Sequence, residues 1–178
     1  TTPWSLPANQ AVCVHPEFDY SLVSTSHGWL LLASELTNAC LARYQLEGRV
    51  VATCKGLVLE GLSLQHPFAD RIVKVICGRH VTLEAGTGLV HTAPAHGLDD
   101  YFIGQQYGLP SDSPVKGDGK FSEQISLVGG MFVWKANDVV IDTLRSSGHL
   151  LHAEEIEHSY PHCWRHNSPF FFSGSPHW

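Results

Sequence analysis

Charge is scarce in this chain. Charged residues make up 16% of its 178 positions, against about 25% in an average globular domain. The 11 Lys and Arg are outnumbered by 17 Asp and Glu, for a net charge of −6 with His neutral. So sparse and acidic a surface argues against a protein that grips nucleic acid or an anionic membrane through many phosphate contacts. Long apolar runs are missing too, which excludes a transmembrane helix and the h-region of a signal peptide. The cysteines are odd in number (Cys13, Cys40, Cys54, Cys77 and Cys163) and none stand at the short spacing of a metal knuckle. They read as buried or idle thiols in a reducing compartment. No G-x-S-x-G elbow is present and no Cys lies in an electropositive stretch, so no protein nucleophile is evident. Hydrolysis by this chain would need a water activated by polar groups.

What is present is apolar and strand-rich. Hydrophobic residues reach 43%, which excludes disorder, and a chain of this length buries roughly 70% of its unfolded surface. One domain covering residues 1–178 is expected. Runs of Val, Ile, Leu and Thr bounded by Gly, Pro, His or Asp predict strands at Ala11–Val14, Tyr20–Thr25, Trp29–Ala33, Val50–Cys54, Ile72–Cys77, Val81–Leu83 and Leu89–Thr92. Three helices are expected. Ser34 would cap the first, with Leu36, Cys40, Leu41 and Tyr44 on one face. The second runs from Asp99 to Tyr107 and ends at Gly108. Asn137 would cap the third, which carries Val139, Val140, Ile141 and Leu144 and ends at Gly148. Pro110–Gly130 reads as a long surface loop, and Leu150–Ile156 as a further strand. The sum is a strand-rich α/β fold, a β-barrel core with helices packed around it. The abrupt start at Thr1-Thr2-Pro3-Trp4 and finish at Pro176-His177-Trp178 suggest a piece of a longer chain.

The densest polar stretch runs from Gly86 to Asp100, with a Gly-x-Gly pair, His91, His96, Asp99 and Asp100. Gly86 and Gly88 could cradle phosphate, but turn-making is the commoner use of such a pair. His91, His96 and Asp100 lack the helix spacing of a metal site, and no metal is expected. Asp99 suits a helix cap, which leaves Asp100 to face a pocket. A second cluster, His158, His162, Cys163 and His166, superficially suits zinc. Its ligands bunch in one segment interleaved with Tyr160, Pro161 and Trp164, so packing is the better reading. Thr1 to Asn9 offers hydroxyls and an amide before the first strand; spacing alone leaves an ordinary loop and a ligand wall equally open.

The run Gly86-Thr-Gly-Leu-Val-His-Thr-Ala-Pro-Ala-His-Gly-Leu-Asp-Asp-Tyr-Phe-Ile-Gly-Gln-Gln-Tyr-Gly108 resembles the editing domain of isoleucyl-tRNA synthetase, a class I aminoacyl-tRNA synthetase. So do Thr1-Thr-Pro-Trp-Ser-Leu-Pro-Ala-Asn9, Lys135-Ala-Asn-Asp138 and His158-Ser-Tyr-Pro-His-Cys-Trp-Arg-His166. The likeness runs almost end to end. In that family the domain, connective peptide 1, is inserted into the nucleotide-binding catalytic domain and resembles a β-barrel with surrounding helices. The resemblance implies an editing hydrolase. A pocket built for isoleucine excludes valine weakly, because one methylene is worth only about 1–3 kcal/mol, a magnitude already established with this very family. A smaller second site then hydrolyses the ester of valyl-tRNA(Ile), with valyl-adenylate as a second substrate.

Position by position, the resemblance gives Asp100 the substrate ammonium, which needs a hydrogen-bonded anion to orient it. His91 lines the pocket and helps distinguish the side chain. Thr1 and Thr2 match the last two of a threonine triplet that contacts the terminal adenosine and the attacking water, and Asn9 stands near the same wall. Pro3, Trp4, Thr92, Ala93 and Asp99 complete the expected substrate-binding set; Thr1, Thr2, His91 and Asp100 are the catalytic candidates. No protein base is assigned, and a ribose hydroxyl of the adenosine is thought to help. The domain itself is expected to need no cofactor, ATP and Mg belonging to the synthetic site elsewhere. Expected partners are the 3′-terminal adenosine of tRNA(Ile) carrying valine and the rest of the synthetase in cis, with no membrane, in a cytoplasmic monomer.

The sequence also departs from the family. The first threonine of the triplet precedes Thr1, Ser5 stands where threonine is usual, and Ala95 stands where glycine is common. Pro94-Ala95-His96 is shared with valyl and leucyl relatives, whereas His91-Thr92 favours the isoleucyl type over the valyl type, which typically has lysine at the first position. The rival readings are a valyl-type domain clearing threonine, a tRNA-docking module without hydrolytic competence, and a zinc-stabilised structural domain.

Overall fold

The computed structural model describes residues 1–155. The expected features at Ile156 and His158–His166 lie outside the described residues. The chain divides into two compact units: Thr1 with Asn9–Thr92, and Thr2–Ala8 with the chain from Ala93 onward.

The first unit holds seven strands: β1 (Ala11–Val14), β2 (Asp19–Thr25), β3 (Gly28–Ala33), β4 (Gly48–Lys55), β5 (Ser63–Gln65), β6 (Ile72–Cys77) and β7 (Leu89–Thr92). They form two sheets, ordered β5-β6-β1-β7 and β3-β2-β4. In the first, β1 runs parallel to β6 and antiparallel to β7, with Ala11 opposite Thr92 and Val12 opposite His91. In the second, β2 lies between antiparallel β3 and β4, with an irregularity between Leu22 and Val23 where it meets β4. No hydrogen-bonded ladder joins the two sheets into a closed barrel among the described residues. What the sheets share is a core: Val14, Tyr20, Ala33 and Val75 pack with Leu59 of the short helix α2 (Gly56–Leu59). Tyr20 is fully buried there. Its hydroxyl donates to the Gly88 carbonyl at 2.7 Å and accepts from the His15 N–H at 2.9 Å. Burial pushes the phenol above its ordinary range, although the His15 N–H works in the opposite direction.

Gly86 and Gly88 both have left-handed backbone (φ 78° and 75°), so the pair makes a turn. A Cβ on Gly88 would lie 2.3 Å from that of Ala33, and no other residue fits. Val81–Leu83 is not a strand, although Val81 is buried, and the three-residue β5 was not expected. Helix α1 covers Thr37–Tyr44 after a 3₁₀ turn at Ser34–Leu36, and its N-terminus has no side-chain cap. Ser34 instead bonds Ser21 through their hydroxyls at 2.7 Å.

In the second unit, a 3₁₀ turn (Pro3–Ala8) packs against α4 (Val133–Ser146). Helix α4 buries Val133, Ala136, Val140 and Leu144, one stripe at helical spacing. It begins four residues before the expected cap. Asn137 lies inside it and uses its side-chain oxygen to accept the Trp4 N–H at 2.9 Å. Helix α3 (Leu98–Tyr107) ends where expected, at left-handed Gly108. Residues 110–130 form no helix or strand, as expected of a loop, but the loop is anchored. Two isolated bridges, Val115 with Phe121 and Lys120 with Phe132, pin the segment, and Phe121 and Val128 are fully buried. Residues 150–155 form no strand.

Candidate functional site

The candidate residues gather in two clusters, one in each unit. In the first unit, the antiparallel β1–β7 pair sets Asn9, two residues before Ala11, beside His91 in β7. The Gln10 N–H bonds the Thr92 carbonyl at 2.9 Å and extends the ladder by one rung. Asn9 is 6% exposed. Its amide nitrogen Nδ2 donates to the Ala11 carbonyl at 2.9 Å and lies 2.7 Å from His91 Nδ1. His91 is half-buried and Thr92 is fully buried, while Thr1 is exposed.

The second cluster surrounds the start of α3. Its N-cap is Gly97, with no side-chain cap bond, so Asp99 does not cap the helix as expected; it is an exposed first-turn acid. Asp100 turns back instead. Its Oδ2 accepts the backbone N–H of Ala93 at 2.9 Å, and the carboxylate is half-buried. Both acids sit where the helix dipole favours negative charge. Ala93, Pro94 and Ala95 are buried, and Gly104 makes room for them: a Cβ there would lie 2.7 Å from Pro94 Cγ. That close approach was not foreseen; an i+10 glycine after a proline carries no sequence signal.

In the same unit, the carbonyl of Thr2 accepts the Ser5 N–H and hydroxyl, at 3.1 Å and 2.8 Å, which tightens the turn after it. Pro3 opens the 3₁₀ turn, where a residue without an N–H fits. Trp4 is 6% exposed and its ring meets the edges of His96 (centroids 5.0 Å apart) and Trp134 (6.2 Å). The Asn137 bond that fixes its backbone falls in the Lys135–Asp138 motif.

No group of three or more metal-ligating side chains gathers among the described residues. Cys13, Cys40, Cys54 and Cys77 form no disulfide with one another. Burial, helped by Glu60, pushes the Cys77 thiol up, away from the reactive thiolate. An open polar groove lined by residues such as Ser24, Gln45 and Arg49 contains none of the candidates. The clusters therefore offer a carboxylate, an imidazole and an amide, which suit ammonium binding and hydrogen bonding rather than nucleophilic attack.

No family model matches the chain. Among solved structures, the crystal structure of GlLeuRS-CP1 superposes with a TM-score of 0.66 at 15% identity, covering 88% of this chain and 82% of that one. The chain therefore shares the fold of that CP1 domain. Sequence then narrows the class: the isoleucine--tRNA ligase of Nitrosomonas europaea is 94% identical over all 178 residues of this chain. Those of Thiobacillus denitrificans and Coxiella burnetii are 55% and 54% identical, again over the whole chain. The chain spans about a fifth of the length of these relatives, 19–20%. Over its whole length the chain is similar to isoleucine--tRNA ligase. No helix among the described residues is long and apolar enough to cross a membrane.

Proposed function

We propose that this chain is the editing hydrolase domain that removes valine from mischarged tRNA(Ile). The observation that carries the reading is Asp100: a half-buried carboxylate in the first turn of α3, held by the Ala93 N–H, in a chain matching isoleucine--tRNA ligase. One oxygen of the carboxylate is oriented by that bond, and a carboxylate so held suits an ammonium. In this reading Asp100 binds the α-ammonium of valine. His91 lines the side-chain pocket, while Thr1 and Thr2 contact the terminal adenosine and the attacking water. Asn9, Pro3, Trp4, Thr92, Ala93 and Asp99 complete the surroundings. Water is the nucleophile, the ester oxygen of the ribose is the leaving group, and valine leaves with one added oxygen. The adenosine's own hydroxyl helps to activate the water, in keeping with the lack of a candidate protein base.

The domain uses no cofactor of its own and works in cis with the rest of a cytoplasmic synthetase. Valyl-adenylate is a second substrate of the same chemistry. The deciding experiment is deacylation of valyl-tRNA(Ile) by the intact synthetase, with threonyl-tRNA as the contrast. Loss of valyl ester hydrolysis in Asp100→Ala supports the assignment. An unchanged rate overturns it, and a preference for the threonyl ester points to valyl-type editing.

A further inference from the structure

The contact between Asn9 and His91 carries a chemical consequence that distance alone does not state. Ala11's carbonyl oxygen can only accept a hydrogen bond. The side-chain atom 2.9 Å from it must therefore be the amide nitrogen of Asn9, which settles the orientation of that amide. The same nitrogen lies 2.7 Å from His91 Nδ1. An amide NH₂ donates and has no lone pair to accept with. Nor can the imidazole be turned over, because its Cδ2 would then lie 2.7 Å from a nitrogen, well inside van der Waals contact. His91 Nδ1 is thus an acceptor and carries no hydrogen, and in the neutral ring the hydrogen must be on Nε2. Asn9 is buried before β1 and tied to that strand by the Ala11 bond, so it has little freedom to turn away.

We propose that Asn9 is a positioning residue that locks His91 in its Nε2–H tautomer, so that His91 acts on the substrate as a hydrogen-bond donor and not as a base. The inference rests on the editing reading above, which places His91 at the substrate. A donor suits the oxygens of an aminoacyl ester and its ribose. Neutral His91 in this tautomer has no lone pair on Nε2 with which to take a proton from water. The same lock raises the cost of protonating Nδ1, which would set two donors against each other.

The test uses the full-length synthetase. Histidine-selective ¹⁵N labelling, with the His91 signals assigned by their loss in His91→Gln, reads the tautomer directly. A pyrrole-like Nε2 and a pyridine-like Nδ1 are expected; the reverse overturns the proposal whatever the kinetics show. Asn9→Asp replaces the donor with an acceptor, should move the proton to Nδ1, and stabilises the imidazolium. Deacylation of valyl-tRNA(Ile) should then lose about tenfold or more in kcat, by comparison with other lost catalytic donors. KM should change little, and a new ionisation should appear in the neutral pH range. A purely structural role for Asn9 would lower the folded fraction without altering the pH profile, and that outcome overturns the proposal. Should Asn9→Asp fail to fold, the unmutated tautomer and the profile of Asn9→Ser decide it. Unchanged hydrolysis in His91→Gln with the expected tautomer would instead defeat the editing role of His91, a failure distinct from that of the lock.

Discussion

Asp100 accepts a hydrogen bond from the backbone of Ala93, seven residues before it, at 2.9 Å. One side chain thereby ties the first turn of α3 to the start of the segment that leads into it, and serves structure and charge together. Substitution can separate the two. Asp100→Asn keeps an acceptor for Ala93 and loses the anion; Asp100→Ala loses both. Asn should fold like the parent yet deacylate valyl-tRNA(Ile) about 10–100-fold more slowly, the range of a lost charge-assisted bond. Ala should in addition lower stability by about 1–2 kcal/mol. Kinetics and thermal unfolding of the two variants check this; equal kinetics for Asn and the parent would refute the electrostatic role.

Gly104→Ala tests the packing beneath that cluster. Helix propensity favours alanine by about 1 kcal/mol, but its Cβ would come within 2.7 Å of Pro94 Cγ and 3.0 Å of Pro94 Cβ. The proline ring cannot swing aside as a long side chain can. Overpacking costs about 1–3 kcal/mol, so a net destabilisation of up to about 2 kcal/mol is expected. A rise in melting temperature would show that Pro94 yields.

Tyr20 gives a pH signature. Its folded-state pKa lies above that of the unfolded chain, chiefly because burial penalises the phenolate. The stability it contributes is therefore fully present below the ordinary tyrosine range near 10 and is lost as pH rises through the folded value. Denaturant titrations should show that loss beginning near pH 10. Tyr20→Phe should cost about 1–3 kcal/mol at neutral pH, because the Gly88 carbonyl and His15 N–H lose a buried partner. Its alkaline limb should be flatter than the parent's.

The charge of −6 predicts weak binding of tRNA by this domain alone, with a shallow dependence of affinity on salt because few phosphates are neutralised. Filter binding at two salt concentrations checks it. Tight, steeply salt-dependent binding would mean that the domain grips more than the terminal adenosine.

Six of the seven strands of the first unit were legible, because each concentrates Val, Ile, Leu or Thr between turn formers. β5 was not: Ser63-Leu64-Gln65 is too short and polar to show a period. Val81–Leu83 has strand composition but no ladder partner, which only tertiary structure reveals. The misplaced helix starts share one cause. Ser34 and Asn137 have cap-like side chains, but distant groups claim them: Ser21 and the backbone of Trp4. The segment 110–130 looked like a loop because its buried residues, Val115, Phe121 and Val128, follow irregular bridges rather than a helix or strand period. Within the candidate site, Asp100 was singled out from its place in the first turn. The Asn9–His91 contact spans 82 residues, and no local pattern encodes such a pairing.

That span also bears on how the protein assembles. β1 is synthesised before both of its ladder partners, β6 and β7, which begin some sixty residues or more later in the chain. Contacts of such high sequence separation require the loop-closure entropy to be met before the ladder rewards it. That strand must therefore wait, unpaired on both edges, until most of the first unit has been synthesised. Asn9 and His91 come together only at that late stage, so the histidine acquires its orientation in the same event that completes the sheet.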